Sequence, residues 1–290
     1  MCEADAGAAE RTDRAWPLIR VTLADWLTSH PYLRSVADLQ ATVEAAVSAL
    51  AVPTAGAVPS FDDYAADFHD GVPLLQSMRV VIDLAPAEDA VVALVEKLAS
   101  TNLPGPLAGH CQLLNVELQS NADALDATLA GAAAPDAPPQ HGVLRFVAWT
   151  VMARYLQPVV GAFARWRDDE RWLRNGCPTC GGKPVMGQLV GHDPGRLRML
   201  ACGCCRTRWR YRRTGCPFCD NQHDHRLAVV GIEGEVGLRI DYCETCSGYL
   251  KTATGEGSEE VLLADWTSLH LDLLARDRGL KRMAGSLYEL

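Results

Sequence analysis

The sequence lacks several patterns that would define its class. No run of 18 or more apolar residues occurs among its 290 residues, so we expect no membrane span. The N-terminus is charged where a secretory signal would be apolar, so we expect no export. There is no P-loop, GxSxG or HExxH motif, which leaves a hydrolase or transferase without support.

What the sequence does contain is cysteine. It has 11 cysteines, and without export these favour thiolate ligands in a reducing compartment over disulfides, which predicts a cytoplasmic protein. Eight of them form four Cys-x-x-Cys pairs between residues 177 and 246. One such turn lets two thiolates converge on one ion, and two turns supply the four sulfurs of a closed tetrahedral site. We therefore expect two metal ions per chain.

The spacing of the pairs favours pairing in sequence order. The intervals 181–201 and 220–242 each leave room for a short hairpin between consecutive pairs. The predicted ligands are Cys177, Cys180, Cys202 and Cys205 at the first site, and Cys216, Cys219, Cys243 and Cys246 at the second. An interleaved, cross-brace pairing is the alternative. An additional cysteine, Cys204, lies inside the second pair and is either a spare thiol or a residue that exchanges with a ligand. Cys202 and Cys205 are kept as the ligands because they preserve the two-residue spacing.

The identity of the metal stays open between iron and zinc. Four sulfurs in a tetrahedron suit either ion. The CPTCG segment (177–181), with proline inside the loop and glycine after it, resembles a rubredoxin knuckle, and the same turn is common in zinc ribbons. A metal filling each pair argues against a thiol oxidoreductase, which would need an exposed pair of low pKa.

Hydrophobic periodicity predicts helices in the first half of the chain. These patterns cover residues 17–29, 34–51, 86–100, 105–131 and 142–166. The predicted fold class is α+β, in which an all-helical domain precedes two tandem rubredoxin-like subdomains and a C-terminal helix. The predicted bounds are 13–170 for the helical domain, 175–253 for the metal-binding module, with its halves at 177–209 and 216–251, and 259–283 for the last helix. Within that helix, His270 is predicted to be a core histidine whose hydrogen bonds are satisfied.

A basic segment follows the second cysteine pair. If residues 206–213 form a strand, alternation places four arginines on one face and Trp209 and Tyr211 on the other. The four are Arg206, Arg208, Arg210 and Arg212. A zinc-ribbon nucleic-acid binder would use such a row to bind phosphates. The net charge of −9 instead favours an exposed strand that faces acidic residues of this chain or of a protein partner.

Four segments together resemble the formate dehydrogenase accessory protein family of FdhE type. They are CPTCG (177–181), LACGCCRTRW (200–209), CPFC (216–219) and CETCSGYLK (243–251). The likeness extends to the last predicted helix at 264–279, which resembles the family's aspartate-containing C-terminal helix. Two features depart from the family pattern: Cys204, and the strongly basic 206–213 segment.

The resemblance implies a cytoplasmic maturation factor that is not itself an enzyme. Such a protein binds the catalytic subunit of formate dehydrogenase and is needed for its assembly into active enzyme. A rubredoxin-like electron carrier and a nucleic-acid-binding zinc ribbon are the alternatives from other classes. No cofactor other than the two metal ions is expected.

Overall fold

A helical region precedes a β-sheet in this protein, and a short helical segment follows the sheet. The computed structural model describes residues 21–103, 107–120, 139–192, 195–223, 226–233, 235 and 237–286. Within these residues the order of elements confirms the predicted α+β class. None of the described helices is both long and apolar enough to cross a membrane.

The helices of the first half have bounds close to the predicted ones. They are α1 (Leu23–Ser29), α2 (Arg34–Ala49), α3 (Ala65–Asp70), α4 (Ala85–Ala99), α5 (Leu107–Ser120), α6 (Pro139–Tyr155), α7 (Gln157–Trp166) and α8 (Asp169–Trp172). Short 3-10 turns occur at Pro31–Leu33 and Leu74–Gln76. The second half of the predicted 105–131 helix lies outside the described residues.

Local sequence explains where two of these helices begin and end. Thr22 and Asp25 form a capping box at the start of α1, with each side chain accepting from the other's backbone N–H. His30 ends α1 because the residue before Pro31 avoids the helical region. The predicted 142–166 helix is divided at Leu156, two residues before Pro158, since proline has no N–H to continue the ladder.

The seven strands within the described residues form one sheet. They are β1 (Pro184–Val190), β2 (Leu197–Cys202), β3 (Arg208–Tyr211), β4 (Leu227–Gly231), β5 (Leu238–Cys243), β6 (Gly248–Thr254) and β7 (Lys281–Arg282). The order is β3-β2-β1-β6-β5-β4, with the short β7 also paired to β6. The two halves of the metal-binding module are therefore two three-stranded antiparallel ribbons, β1–β3 and β4–β6.

A parallel pairing of β1 with β6 joins the two ribbons. The pairing runs from Met186 opposite Lys251 to Leu189 opposite Thr254. Both strands are buried along almost their whole length. Gly187 allows the close approach, because a Cβ there would lie 2.8 Å from the Thr252 hydroxyl oxygen. The two predicted subdomains thus share a continuous sheet.

The first ribbon packs into the core of the helical region. Trp209 and Tyr211 of β3 are buried in the same cluster as helix residues such as Leu94, Leu144 and Phe163. The indole Nε1 of Trp209 donates to the Arg174 carbonyl at 2.9 Å. The aromatic residue that follows the second cysteine pair therefore connects the sheet to the end of the helical region.

The N-terminal helix belongs to a second core, on the other ribbon. Trp26 and Leu27 of α1 are buried together with Ile240 of β5 and Leu271 near the C-terminus. The indole Nε1 of Trp26 donates to the Thr267 carbonyl at 3.0 Å. In contrast to the expected all-helical domain from residue 13, α1 packs on the second ribbon. The predicted domain bounds as a whole stay a prediction.

The prediction of one helix over 259–283 is wrong. The segment divides into α9 (Glu259–Leu262), a 3-10 turn (Asp265–Ser268), α10 (Leu269–Asp277) and strand β7. The interruption places the carboxylates of Asp265 and Asp272 against the buried ammonium group of Lys251. Lys251 Nζ lies 2.7 Å from Asp265 Oδ1 and 2.6 Å from Asp272 Oδ2, and it also donates to the Asp265 carbonyl at 2.8 Å. A straight helix would not offer that carbonyl to the lysine.

Arg282 and Tyr249 also belong to this buried ionic network. Arg282 of β7 contacts Asp265 at 2.7 Å and Asp272 at 2.5 Å, and the Tyr249 hydroxyl donates to Asp272 at 2.7 Å. Lys251 is only 1% exposed. Burial raises the pKa of Asp265, but Lys251 and Arg282 outweigh it and hold the pKa well below its usual value.

We predict that Asp265→Asn destabilises the folded chain by about 3 kcal/mol, because it leaves buried cations with an incomplete set of anions. The measurement is urea unfolding of the metal-loaded protein at pH 7. Since a depressed pKa stabilises the fold only above the unfolded value, the difference from wild type should narrow below about pH 4. The exposed Asp277→Asn at the end of α10 is the matched control and should change stability by less than about 0.5 kcal/mol. Equal effects of the two substitutions would contradict the network's role.

Candidate metal centres

We call each Cys-x-x-Cys turn a knuckle. The first four-cysteine cluster brings together two of them, the Cys177–Cys180 turn and the Cys202–Cys205 turn. The Sγ–Sγ distances are 3.5 Å between Cys177 and Cys205, 3.4 Å between Cys180 and Cys202, and 3.7 Å between Cys180 and Cys205. Four sulfurs at 2.3 Å from a central ion would lie about 3.8 Å apart. A disulfide would bring two of them to about 2.05 Å. The spacing therefore fits a metal-thiolate site, and the cysteines are free thiols.

The second cluster has the same arrangement. Sγ atoms lie 3.8 Å apart between Cys216 and Cys246, and 3.8 Å apart between Cys219 and Cys243. In both clusters all four sulfurs lie within 4.8 Å of one another. The grouping in sequence order is the one in the structure, and the cross-brace alternative is not. That these eight cysteines bind metal stays a prediction, which the geometry supports.

The knuckle turns share one backbone conformation. The residue after the second cysteine of each turn has a positive φ: Gly181 at 80°, Arg206 at 59°, Asp220 at 55° and Ser247 at 58°. Only glycine adopts this left-handed region without strain, so three of the four turns hold a non-glycine residue against its preference. Cation binding would offset this cost.

Backbone N–H groups close these turns and point toward the sulfurs. The N–H of Gly181 donates to the Cys177 carbonyl at 2.8 Å, and those of Asp220 and Ser247 make the equivalent bonds in the second ribbon. The Phe218 N–H lies 3.5 Å from the Cys216 sulfur, and the Gly248 N–H lies 3.4 Å from the Cys246 sulfur. Such donors stabilise the thiolate form that a metal requires.

The two clusters differ in how deeply they lie. At the first, the 3-10 turn of the helical region covers the knuckle: Leu74 N donates to the Pro178 carbonyl and Leu75 N to the Thr179 carbonyl, each at 2.9 Å. Three of its four cysteines are buried in the main core. At the second cluster Cys219 is exposed and Cys246 is half-buried. The first cluster is enclosed, and the second opens to solvent.

Within each cluster the pKa values of the sulfurs shift in opposite directions. Burial raises the pKa of Cys177 well above its usual range. Hydrogen bonds from the other three cysteines, of which that of Cys177 is the largest, lower the pKa of Cys205 well below it. At the second cluster, burial raises the pKa of Cys243, but hydrogen bonds from the N–H groups of Cys246 and Thr245 and from the thiols of Cys216 and Cys219 together lower it to about 7. A divalent ion would favour the thiolate form of all four sulfurs.

The arginine row faces acidic residues of this same chain. Arg208 lies 3.7 Å from Glu259 and Arg212 lies 3.2 Å from Asp220. Arg210 forms an ion pair with Glu170 of α8. Trp209 and Tyr211 face the core, as the alternation predicts. This arrangement agrees with the strand that faces acidic groups and gives no support to the nucleic-acid alternative.

A third group of potential ligands was not foreseen from the sequence. His30, Glu235 and His270 place one ligand atom each within 4.8 Å of one another. These residues come from the end of α1, the turn between β4 and β5, and the start of α10. No local motif links them, so sequence spacing could not have identified the group. The prediction that His270 has its hydrogen bonds satisfied is wrong, because neither ring nitrogen has a hydrogen-bond partner among the described residues.

Comparison with known proteins agrees with the class that the fold and the clusters define, namely a helical protein that carries paired four-cysteine ribbons. Residues 176–213 match the family model of the FdhE central domain. The chain is 36% identical over 131 residues to "Protein FdhE homolog" of Aquifex aeolicus (strain VF5), covering 43% of this chain and 46% of that one. It is 33% identical over 154 residues to the protein of the same name from Stutzerimonas stutzeri (strain A1501), covering 51% and 47%. The alignments thus span about half the length of these relatives.

A solved structure shares the fold over a longer range. The crystal structure of the FdhE protein from Pseudomonas aeruginosa superposes with a TM-score of 0.56 and covers 89% of this chain and 88% of that one, at 23% sequence identity. The resemblance to the FdhE family that the four knuckles indicated is confirmed by these matches.

We predict that Cys177→Ser removes one of the two metal ions and unfolds the first ribbon, since a structural metal contributes on the order of 10 kcal/mol. Elemental analysis of the purified full chain gives the metal count. Cys204→Ser is the matched control: its sulfur lies outside the group of four. That variant should keep both ions, and loss of one would show that the assignment of ligands at this turn is wrong.

We further predict that a chelator removes the two ions at different rates. Because Cys219 is exposed and the first cluster is enclosed, the second cluster should lose its ion at least about tenfold faster. Release is followed with a chromogenic chelator. Cys216→Ser should abolish the fast phase and keep the slow one. A single phase in wild type would contradict the difference in access.

Proposed function

We propose that this protein is an accessory factor that binds the catalytic subunit of formate dehydrogenase and assists its assembly into active enzyme. The observation that carries the proposal is the pair of four-cysteine ribbons in one sheet behind a helical region, in a chain that resembles the FdhE family. On this proposal the protein binds a protein client and catalyses no reaction of its own.

In this function the first cluster has a structural role. Its ion would be held by Cys177, Cys180, Cys202 and Cys205, and the ribbon that it stabilises forms part of the main core. A metal ion there supplies cross-links between two knuckles that hydrophobic packing alone does not provide. Loss of this ion would therefore disturb the helical region as well as the ribbon.

The second cluster is the part of the metal-binding module that is open to another molecule. Cys219 is exposed, and the cluster lies on the ribbon formed by β4–β6. We infer that the enclosed cluster maintains the fold and that the accessible ribbon takes part in the contact with the client. Iron and zinc both fit the four sulfurs.

The test is co-purification together with complementation. A tagged full chain is expressed with a formate dehydrogenase catalytic subunit, in a host whose own FdhE homologue has been deleted. The expected results are a complex of the two proteins and recovery of formate dehydrogenase activity. The Cys216→Ser variant should keep the first metal ion but lose most of the recovery, whereas Cys204→Ser should behave as wild type. Recovery without any detectable contact with the subunit would contradict the binding proposal.

Electron transfer at the second cluster is the other candidate, and the exposure of Cys219 favours it. A rubredoxin-like iron centre exchanges electrons through a cysteine that reaches the surface, and this cluster has such a cysteine. Voltammetry of the iron-loaded chain distinguishes the two functions. A reversible one-electron couple that disappears in Cys216→Ser would support electron transfer. Full complementation by the zinc-loaded protein would exclude a requirement for it.

A further inference from the structure

Three segments that are distant in sequence bring two imidazoles onto one carboxylate. His30 Nε2 lies 3.1 Å from Glu235 Oε1, and His270 Nε2 lies 3.0 Å from Glu235 Oε2. The side chains are 12%, 15% and 10% exposed for His30, His270 and Glu235, respectively. The group is thus largely removed from solvent but still accessible to a small ion.

The hydrogen bonding of His30 is that of a metal ligand. Its Nδ1 lies 3.0 Å from the carbonyl oxygen of Trp26, which can only accept, so Nδ1 carries a hydrogen. Its Nε2 makes a hydrogen bond of 3.1 Å with Glu235 Oε1, and an ion between these two atoms would take the place of the shared hydrogen. Histidines that bind metals typically donate their other N–H to a carbonyl or carboxylate in this way, which fixes the tautomer and the orientation of the ring. Stacking on Trp26, with ring centroids 4.1 Å apart, holds the ring further.

His270 has buried nitrogens that its surroundings do not satisfy. Within the described part of the chain neither Nδ1 nor Nε2 has a hydrogen-bond partner, although Nε2 is only 3.0 Å from a carboxylate oxygen. The approach is therefore close without the alignment of an N–H···O bond. A buried polar atom left in this way costs roughly 1–3 kcal/mol. An ion placed between Nε2 and the carboxylate would remove that cost for Nε2.

The spacing fits direct coordination. Two ligands at 2.1 Å from an ion lie about 3.4 Å apart at the tetrahedral angle of zinc, and about 3.0 Å apart at the right angle of an octahedral site. The two measured imidazole–carboxylate distances, 3.1 Å and 3.0 Å, agree with the second value. Two histidines and one carboxylate form a ligand set used by zinc and by non-haem iron(II), and it leaves coordination positions for water or another ligand.

We propose that His30, Glu235 and His270 form a third metal site, which binds a divalent first-row transition ion. This site is distinct from the four-cysteine clusters and does not depend on the proposed function. It would cross-link α1, the β4–β5 turn and α10, and so hold the N-terminal helix on the second ribbon. The ring of Tyr32 lies edge-on to both imidazoles, with centroids 5.8 and 5.9 Å away, and limits access from one side.

The experiment uses the full chain with both cysteine clusters loaded with zinc and excess metal removed. Cobalt(II) is the probe, because its absorption distinguishes thiolate from nitrogen and oxygen ligands. We expect one equivalent of cobalt to bind with weak visible bands and no new thiolate-to-metal charge-transfer band. Each of His30→Gln, Glu235→Gln and His270→Gln should weaken this binding at least about tenfold. The matched control, His192→Gln, removes an exposed histidine of the β1–β2 turn and should leave binding unchanged.

Three outcomes would overturn the proposal. They are no cobalt binding by the wild-type chain, cobalt binding that the three substitutions leave unchanged, and bound cobalt that shows thiolate charge transfer. Retention of two zinc ions confirms that each variant is folded. If a variant loses its zinc, X-ray absorption of the wild-type cobalt complex decides independently: a first shell of nitrogen and oxygen supports the site, and a first shell of sulfur contradicts it.

Discussion

The convergence of four sulfurs at each knuckle pair is the constraint on which this structure depends. Thiols packed 3.4–3.8 Å apart make only weak hydrogen bonds with one another, and at the first cluster most of them are also withheld from water. The turns that present them place Arg206, Asp220 and Ser247 in left-handed conformations that these residues disfavour. A divalent cation would offset the close packing of the sulfurs and the strain of the turns, because it would bind the thiolates and hold the turns in place. The ribbons, and the cores on either side, follow from that convergence.

The two ribbons form one body because of the parallel β1–β6 pairing. This pairing is buried on both faces, and it carries Lys251 into a site that needs two carboxylates from the C-terminal segment. Tyr249 and Asp272 complete the same network. These residues match features by which the chain resembles the FdhE family, the Tyr-Leu-Lys segment after the fourth knuckle and the aspartate of the last helical segment. In the structure these two features contact each other, because Lys251 and Tyr249 both bind Asp272.

The unequal burial of the clusters suggests a division of roles. The first cluster is continuous with the helical core, so a metal ion bound there would stabilise the helical region as well as the first ribbon. The second cluster exposes a cysteine, and the ribbon that carries it also packs against α1. In the proposed accessory function, contact with a client at the second ribbon would be coupled to the position of the N-terminal helix, since one ribbon bears both.

The sequence by itself determined the composition of the metal-binding module and the class of the fold. A two-residue spacing between cysteines specifies a turn, a local structure that needs no distant contact, and helical periodicity reports burial of one face.

What only the tertiary structure decided are the relations between distant segments. Backbone pairing of β1 with β6 leaves no pattern in either strand, and α1 joined the second ribbon because its apolar face fits a core made of residues more than 200 positions away. The interrupted C-terminal helix has the same cause: its stripe predicts a helix, but the need to neutralise buried Lys251 bends the chain. The proximity of His30, Glu235 and His270 was likewise decided by tertiary packing, because their spacing in the sequence gives no sign of it.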